Sequence, residues 1–196
     1  KNLNDINLSF YRLSNGALGG KARGIAFAHS IINQSKINEK FDNVNIIIPK
    51  SAIIGTDEYI KFMKHNNLWG MALKTKNETR LKKSFLNGKL SEKIKKRLKQ
   101  YIELNKNPIA VRSSSIFEDS QYKSLAGSYD TFMLPNNSSS NSKRLNDLKN
   151  AIKLVFASIF KSTGKTLIKN TGHNIEEEKM AVIIQHIAGQ KNKEES

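Results

Sequence analysis

Residues 109–131 constrain this chain more than any other stretch. Ile109, Ala110 and Val111 form a strand-sized apolar run, and directly behind them stand Arg112, Ser113, Ser114 and Ser115. Residues of the first kind bury as a short strand, so the arginine and the serines are delivered to its end and into a loop. A second small-residue turn at Ala126, Gly127 and Ser128 leads into residues 129–134, whose Tyr, Thr, Phe, Met and Leu suit another strand. Arg112 offers a planar fork of donors that matches phosphate oxygens. The hydroxyls and backbone amides of Ser113, Ser114, Ser115, Gly127 and Ser128 supply the further groups that cradle an anion. An isolated arginine near a strand end more often pairs with a carboxylate, and Glu118 and Asp119 offer one, so spacing alone leaves both roles open.

Composition narrows the setting. A chain of 196 residues with 38% hydrophobic content can bury a core of one or two compact units. Its longest apolar runs, residues 46–48 and 181–184, fall far short of the roughly 20 residues that span a bilayer. No cysteine is present, which excludes disulfides, thiolate metal sites and cysteine nucleophiles and is compatible with a reducing cytoplasm. The first residues, Lys1 to Asp5, lack the apolar segment of a signal peptide and look trimmed. The net charge of +16 raises the possibility of a polyanion-binding module. Arginine supplies only 6 of the 33 basic residues, however, and the lysines are spread along the chain, as on a solvated surface. A basic stripe interleaved with exposed aromatics, expected for single-stranded nucleic acid, is absent.

Periodicity assigns the elements. Residues 22–32 carry Ile25, Ala26, His29 and Ile32 at helical spacing behind Gly19 and Gly20, and residues 44–48 read as an apolar strand closed by Pro49. A short helix from about Asp57 turns Tyr59, Ile60 and Met63 inward. Residues 90–104 place Ile94, Leu98, Tyr101 and Ile102 on one face, and residues 144–160 form the best amphipathic helix of the chain. The Asn/Ser run at 136–143 reads as a mobile loop, residues 164–178 as polar loop, and residues 180–187 as the last strand. Strands not strictly separated by helices point to an α+β fold with a mixed sheet flanked by helices.

Lys21 sits just inside a helix N-terminus, where free amides and the helix dipole favour an anion and a lysine does nothing for the helix itself. The bland alternative is a solvated lysine after a loop. The segment from Gly16 to Ala22 is not a Walker A loop, because the glycine spacing is one residue short and Ala22 replaces the magnesium-holding Ser or Thr. Gly164-Lys165-Thr166 is a second decoy, with Ile159 where the upstream glycine belongs, and Gly164 reads as a helix C-cap. No histidine pair among His29, His65, His173 and His186 has metal-ligand spacing.

Three strings in order tie these readings together. Gly19-Gly20-Lys21-Ala22, then Val111-Arg112-Ser113-Ser114 with Glu118-Asp119 and Ala126-Gly127-Ser128-Tyr129-Asp130-Thr131, and finally Glu178-Lys179-Met180-Ala181-Val182-Ile183-Ile184-Gln185 spread over nearly the whole chain. They resemble the nucleotide-binding domain of the phosphoenolpyruvate synthase and pyruvate phosphate dikinase family. The resemblance implies an ATP-grasp-like domain in which two lobes hold the nucleotide, with 1–196 its N-terminal part and sub-lobes at about 1–107 and 108–196. It implies that Lys21 and Arg112 act on the transferring phosphates. Gly20, Ser113, Gly127 and Thr131 would line the phosphates, with Gln185 and the backbone of His186, Ile187 and Ala188 at the nucleoside end. Magnesium is implied as a second cofactor, with its ligands expected beyond residue 196. The implied partners are ATP and the phosphohistidine and pyruvate domains of a cytoplasmic full-length protein, whose T-S-H motif does not occur here. A related phosphotransferase acting on an antibiotic or a glucan would share the same ATP domain. The oligomeric state is left open.

Overall fold

Alternation along five strands decides which side chains meet. The computed structural model describes residues 9–115, 129–170 and 174–189. Its strands are β1 (Phe10–Arg12), β2 (Ser51–Ile54), β3 (Ile109–Ser115), β4 (Thr131–Leu134) and β5 (Met180–His186), in the order β1-β2-β5-β3-β4. β1 and β2 run parallel and every other pairing is antiparallel, so the sheet is mixed and the α+β expectation holds. Strands from both sides of residue 107 share this one sheet.

The longest pairing joins β3 to central β5, from Ile109 opposite His186 to Ser115 opposite Met180. Because side chains alternate across a strand, Ile109 and Val111 share a face with Ile184 and Val182, Ala52 and Ile54, and Phe132 and Leu134. That face is the core. Helices α2 (Thr56–His65), α4 (Glu78–Asn87), α5 (Glu92–Leu104) and α6 (Asn141–Ser158) cover it, and α3 (Trp69–Lys74) and α7 (Ser162–Asn170) complete the layer. Edge-to-face and tilted ring contacts lock the helices together, with Tyr59 and Phe156 centroids 5.3 Å apart and Phe85 and Phe160 5.8 Å apart. None of the described helices is long and apolar enough to cross a membrane.

Among the described residues, the opposite face carries only α1 (Gly19–Ser35), which lays Ala22 and Ile25 on Ile53 and Ile183. Beyond α1, among the described residues, this side holds Arg112, Thr131 and Gln185 by alternation, with buried Ala110 and the 65%-exposed Met133 toward the β4 edge.

Several local expectations change. The apolar run 44–48 is not a strand: Ile47 is 70% exposed, and the Ile46 backbone is held by the Asn38 side chain at 2.7 and 3.1 Å. Pro49 cannot donate to a ladder, and the strand begins only after it, with the Ser51 amide bonded to Ser9. Ile60 is 37% exposed because Tyr59, Phe62 and Met63 take the buried stripe of α2. Gly164 is the third residue of α7 rather than a C-cap; it is glycine because a β-carbon would press on the Ile159 carbonyl at the end of α6. The Asn/Ser run 136–143 is a built cap: buried Asn136, at φ 53°, bonds the carbonyls of Asn105 and Asn107, Ser140 accepts from the Lys143 amide, and Asn141 starts α6.

Candidate functional site

The chain between β1 and α1 is tied to the β2–α2 connection. Thr56 takes the Ala17 amide on its hydroxyl at 2.9 Å and gives its own amide to the Ala17 carbonyl at 3.0 Å, while the Ser14 hydroxyl accepts from the Gly55 amide at 2.9 Å. This double clamp aims the first turn of α1 at the end of β3.

There the sequence solves a capping problem. Leu18 precedes the helix and has no side chain to cap it. Ser114 does so across 92 positions of sequence, accepting from the Ala22 amide at 3.0 Å and donating to the Leu18 carbonyl at 2.8 Å. The approach is closest at Gly19, whose φ is +73° and whose absent β-carbon would overlap the Ser114 backbone. Glycine is required at 19, rather than a flexible approach to the helix.

With the helix fixed in this way, the Lys21 ammonium reaches the Ser113 hydroxyl at 3.5 Å. Arg112 precedes Ser113 in the middle of β3; the strand runs on through Ser115, paired with β5, so the arginine and the three serines are strand residues and not loop residues. The Arg112 guanidinium donates to Gln185 Oε1 at 3.1 Å, its one side-chain bond among the described residues. Gln185 passes the contact on, its Nε2 donating to the Ser51 hydroxyl at 3.1 Å, and Ser51 donates to the Pro49 carbonyl at 2.8 Å. Gln185 is therefore a bridge on the central strand, not an edge residue facing water. Thr131 stands directly opposite Arg112 in the β3–β4 register, exposed. Gly20 is buried in the first turn of α1, and Ser113 is fully buried.

At the far end of β5, two amides of the expected hinge are already engaged: His186 donates its backbone N–H to the Lys50 carbonyl at 2.9 Å and Ile187 to the Pro108 carbonyl at 3.0 Å. The Ile187 side chain at this end is 43% exposed. Burial, with the nearby Lys50 charge, holds the His186 imidazole below its ordinary pKa.

The base of the β3 loop rests on a buried carboxylate. Glu178 accepts from the Ser115 hydroxyl, and from the Tyr129 hydroxyl at 3.2 Å. Ser115 is thus structural. Glu118, Asp119, Gly127 and Ser128 lie outside the described residues. Sequence reasoning missed Ser14, Ser51 and Thr56, which belong to no motif, and gave Ser114 no role distinct from its neighbours. Among the described residues, no group of three His, Cys, Asp or Glu side chains is placed to hold a metal ion.

A fork of donors stands at the middle of β3, and an ammonium and a helix N-terminus lie toward its C-terminal end, groups that each favour an anion. Against protein-family models, residues 15–193 match the one described as pyruvate phosphate dikinase, AMP/ATP-binding domain. No curated protein matches the chain.

Proposed function

The chain belongs to the pyruvate phosphate dikinase AMP/ATP-binding domain family, and from that premise we propose that ATP lies along the α1 face of the sheet with its phosphates at the α1–β3 junction. Lys21 supplies a point charge and Arg112 a planar fork to the phosphate oxygens, in keeping with the different geometry of the two cations. Gly20, Ser113, Gly127 and Thr131 border the phosphates. Gln185 and Ile187 border the nucleoside, and Gln185 also holds Arg112. As the phosphoryl group leaves, charge shifts on its oxygens, and donors already fixed in place stabilise it without reorganising.

The acceptor in this reading is a histidine on another domain of the full-length protein, from which the phosphoryl group passes to pyruvate. Magnesium would neutralise phosphate charge. The described residues offer no ligand set for it, and no step here runs through it.

The observation that carries the reading is the seating of the first turn of α1 on Ser114, two residues along β3 from Arg112 and so on the same sheet face, which brings Lys21 within 3.5 Å of the Ser113 hydroxyl from more than ninety residues away. Calorimetry on this chain tests it. ATP should bind at one site, and Lys21→Ala and Arg112→Ala should each weaken binding by about tenfold or more, as loss of one charge-assisted contact does. A short oligonucleotide should bind far more salt-sensitively than ATP. Tight oligonucleotide binding with no ATP binding would replace the nucleotide site with a polyanion surface.

A further inference from the structure

The helical layer holds a concavity far from the α1 face of the sheet. It measures about 640 Å³ and lies between the C-terminal half of α2 and the loop that enters α5; none of its lining residues belongs to the sheet or to α1. Phe62 and Leu90 lie buried at its base, and Lys61, Lys64, His65 and Lys89 stand around it. The volume falls in the range of small-molecule sites.

The walls are fixed. Asn66 clamps the residue that closes the rim, donating to the Lys89 carbonyl at 3.0 Å and accepting from the Lys89 amide at 2.8 Å. Gly88 is pressed so close to the Phe62 ring that any β-carbon would strike it. Glu58, buried beneath, takes the Ser91 amide at 2.9 Å and the Ser91 hydroxyl at 2.7 Å, anchoring the first turn of α5.

Charge is unbalanced across this rim. Of the acidic groups at the concavity, Glu58 bonds Ser91 and Glu92 pairs with Lys95 at 2.5 Å, and Asp57 lies one turn before Lys61 on α2. Among the described residues Lys61, Lys64 and Lys89 form no ion pair. Lysine is spread over the whole surface, so charge alone selects nothing; what singles out this place is several unpaired cations around one apolar concavity. We propose that it is a second ligand site, separate from the nucleotide face, for a small molecule with an aromatic or branched apolar body and a single acidic group. The body would lie along the side-chain stems of the lysines and the His65 ring above buried Phe62 and Leu90, and the acid would meet the lysine ammonium groups.

The probe is 8-anilinonaphthalene-1-sulfonate, titrated by fluorescence into the chain, with uncharged N-phenyl-1-naphthylamine as the comparison. Saturable binding at one site is expected, with the uncharged analogue weaker. Lys64→Glu with Lys89→Glu should weaken sulfonate binding by about tenfold, while Lys82→Glu with Lys83→Glu, the same charge change on α4, should leave it within about twofold. Amide shifts on the unaltered chain should concentrate at 61–65 and 88–92, and saturating ATP should not displace the probe. Absence of saturable binding, equal weakening by both reversals, displacement by ATP, or shifts gathered on α1 and β3 would each overturn the proposal. Since these readouts do not depend on ATP binding, the nucleotide reading stands or falls separately.

Discussion

Gly19 lies against the Ser114 backbone at φ +73°, and both the angle and the contact exclude a side chain. Gly24, one and a half turns later in the same helix, has nothing within 4 Å of where a β-carbon would be. The two glycines should therefore respond oppositely to alanine. Gly19→Ala should lower stability by about 2 kcal/mol or more, through left-handed strain and overlap. Gly24→Ala should raise it by about 0.5–1 kcal/mol, through helix propensity. Urea unfolding of both variants checks the pair, and equal effects would show that α1 is not seated on β3.

Ser114→Ala removes the tertiary cap of α1 and leaves the Ala22 amide and the Leu18 carbonyl without their partner. Orphaned buried groups of this kind cost about 1–3 kcal/mol. Because Lys21 rides on the same turn, ATP affinity should fall in Ser114→Ala although Ser114 touches no ligand in the proposed arrangement. Ser114→Thr, which keeps the hydroxyl, should restore part of both losses. Retained stability in Ser114→Ala would place the cap elsewhere.

How much of this was legible varies with how local the determining physics is. α5 and α6 announce themselves because four and more apolar residues repeat at helical spacing, and β3 and β5 because apolar runs end in polar residues. α4 buries only Leu81 and Phe85, and α7 sets Gly164 and Ile168 four apart in polar sequence, signals too thin to stand out. The run 44–48 failed for the opposite reason: its hydrophobicity is strong, but only 51–54 find partners in β1 and β5. Within the site, Lys21 and Arg112 were visible as charges in unusual places. The distinct duties of Ser113, Ser114 and Ser115 were not, because each is decided by a partner more than sixty residues away.

His186 should make stability depend on mildly acidic pH. Its folded pKa lies below the ordinary 6.5, first through burial and then through Lys50, and its buried Nε2 has no partner among the described residues. The unfolded chain therefore binds the proton more readily, and stability should fall as pH drops through about 6.5. His186→Leu should flatten that part of the pH profile relative to the unaltered chain, with the other histidines common to both. Denaturant midpoints from pH 8 down to pH 5 give the comparison; parallel profiles would mean the imidazole is solvated when folded.

Gln185 joins Arg112 to Ser51 with both ends of its amide, which makes it a positioning residue for the guanidinium in addition to the nucleoside contact proposed for it. The two duties separate by ligand. If it only contacted the nucleoside, Gln185→Ala would weaken ATP and leave inorganic tripolyphosphate unaffected. With Arg112 released from its bridge, tripolyphosphate should weaken too, by about threefold to tenfold, the range of one modest hydrogen bond. Arg112→Lys should not repair the loss in the double variant, because an ammonium reproduces neither the planar fork nor its two-point grip on phosphate. Calorimetry with both ligands on Gln185→Ala, Arg112→Lys and the pair measures the coupling. Additive losses for tripolyphosphate would show that Gln185 and Arg112 act independently and that the bridge between them does not serve the phosphate site.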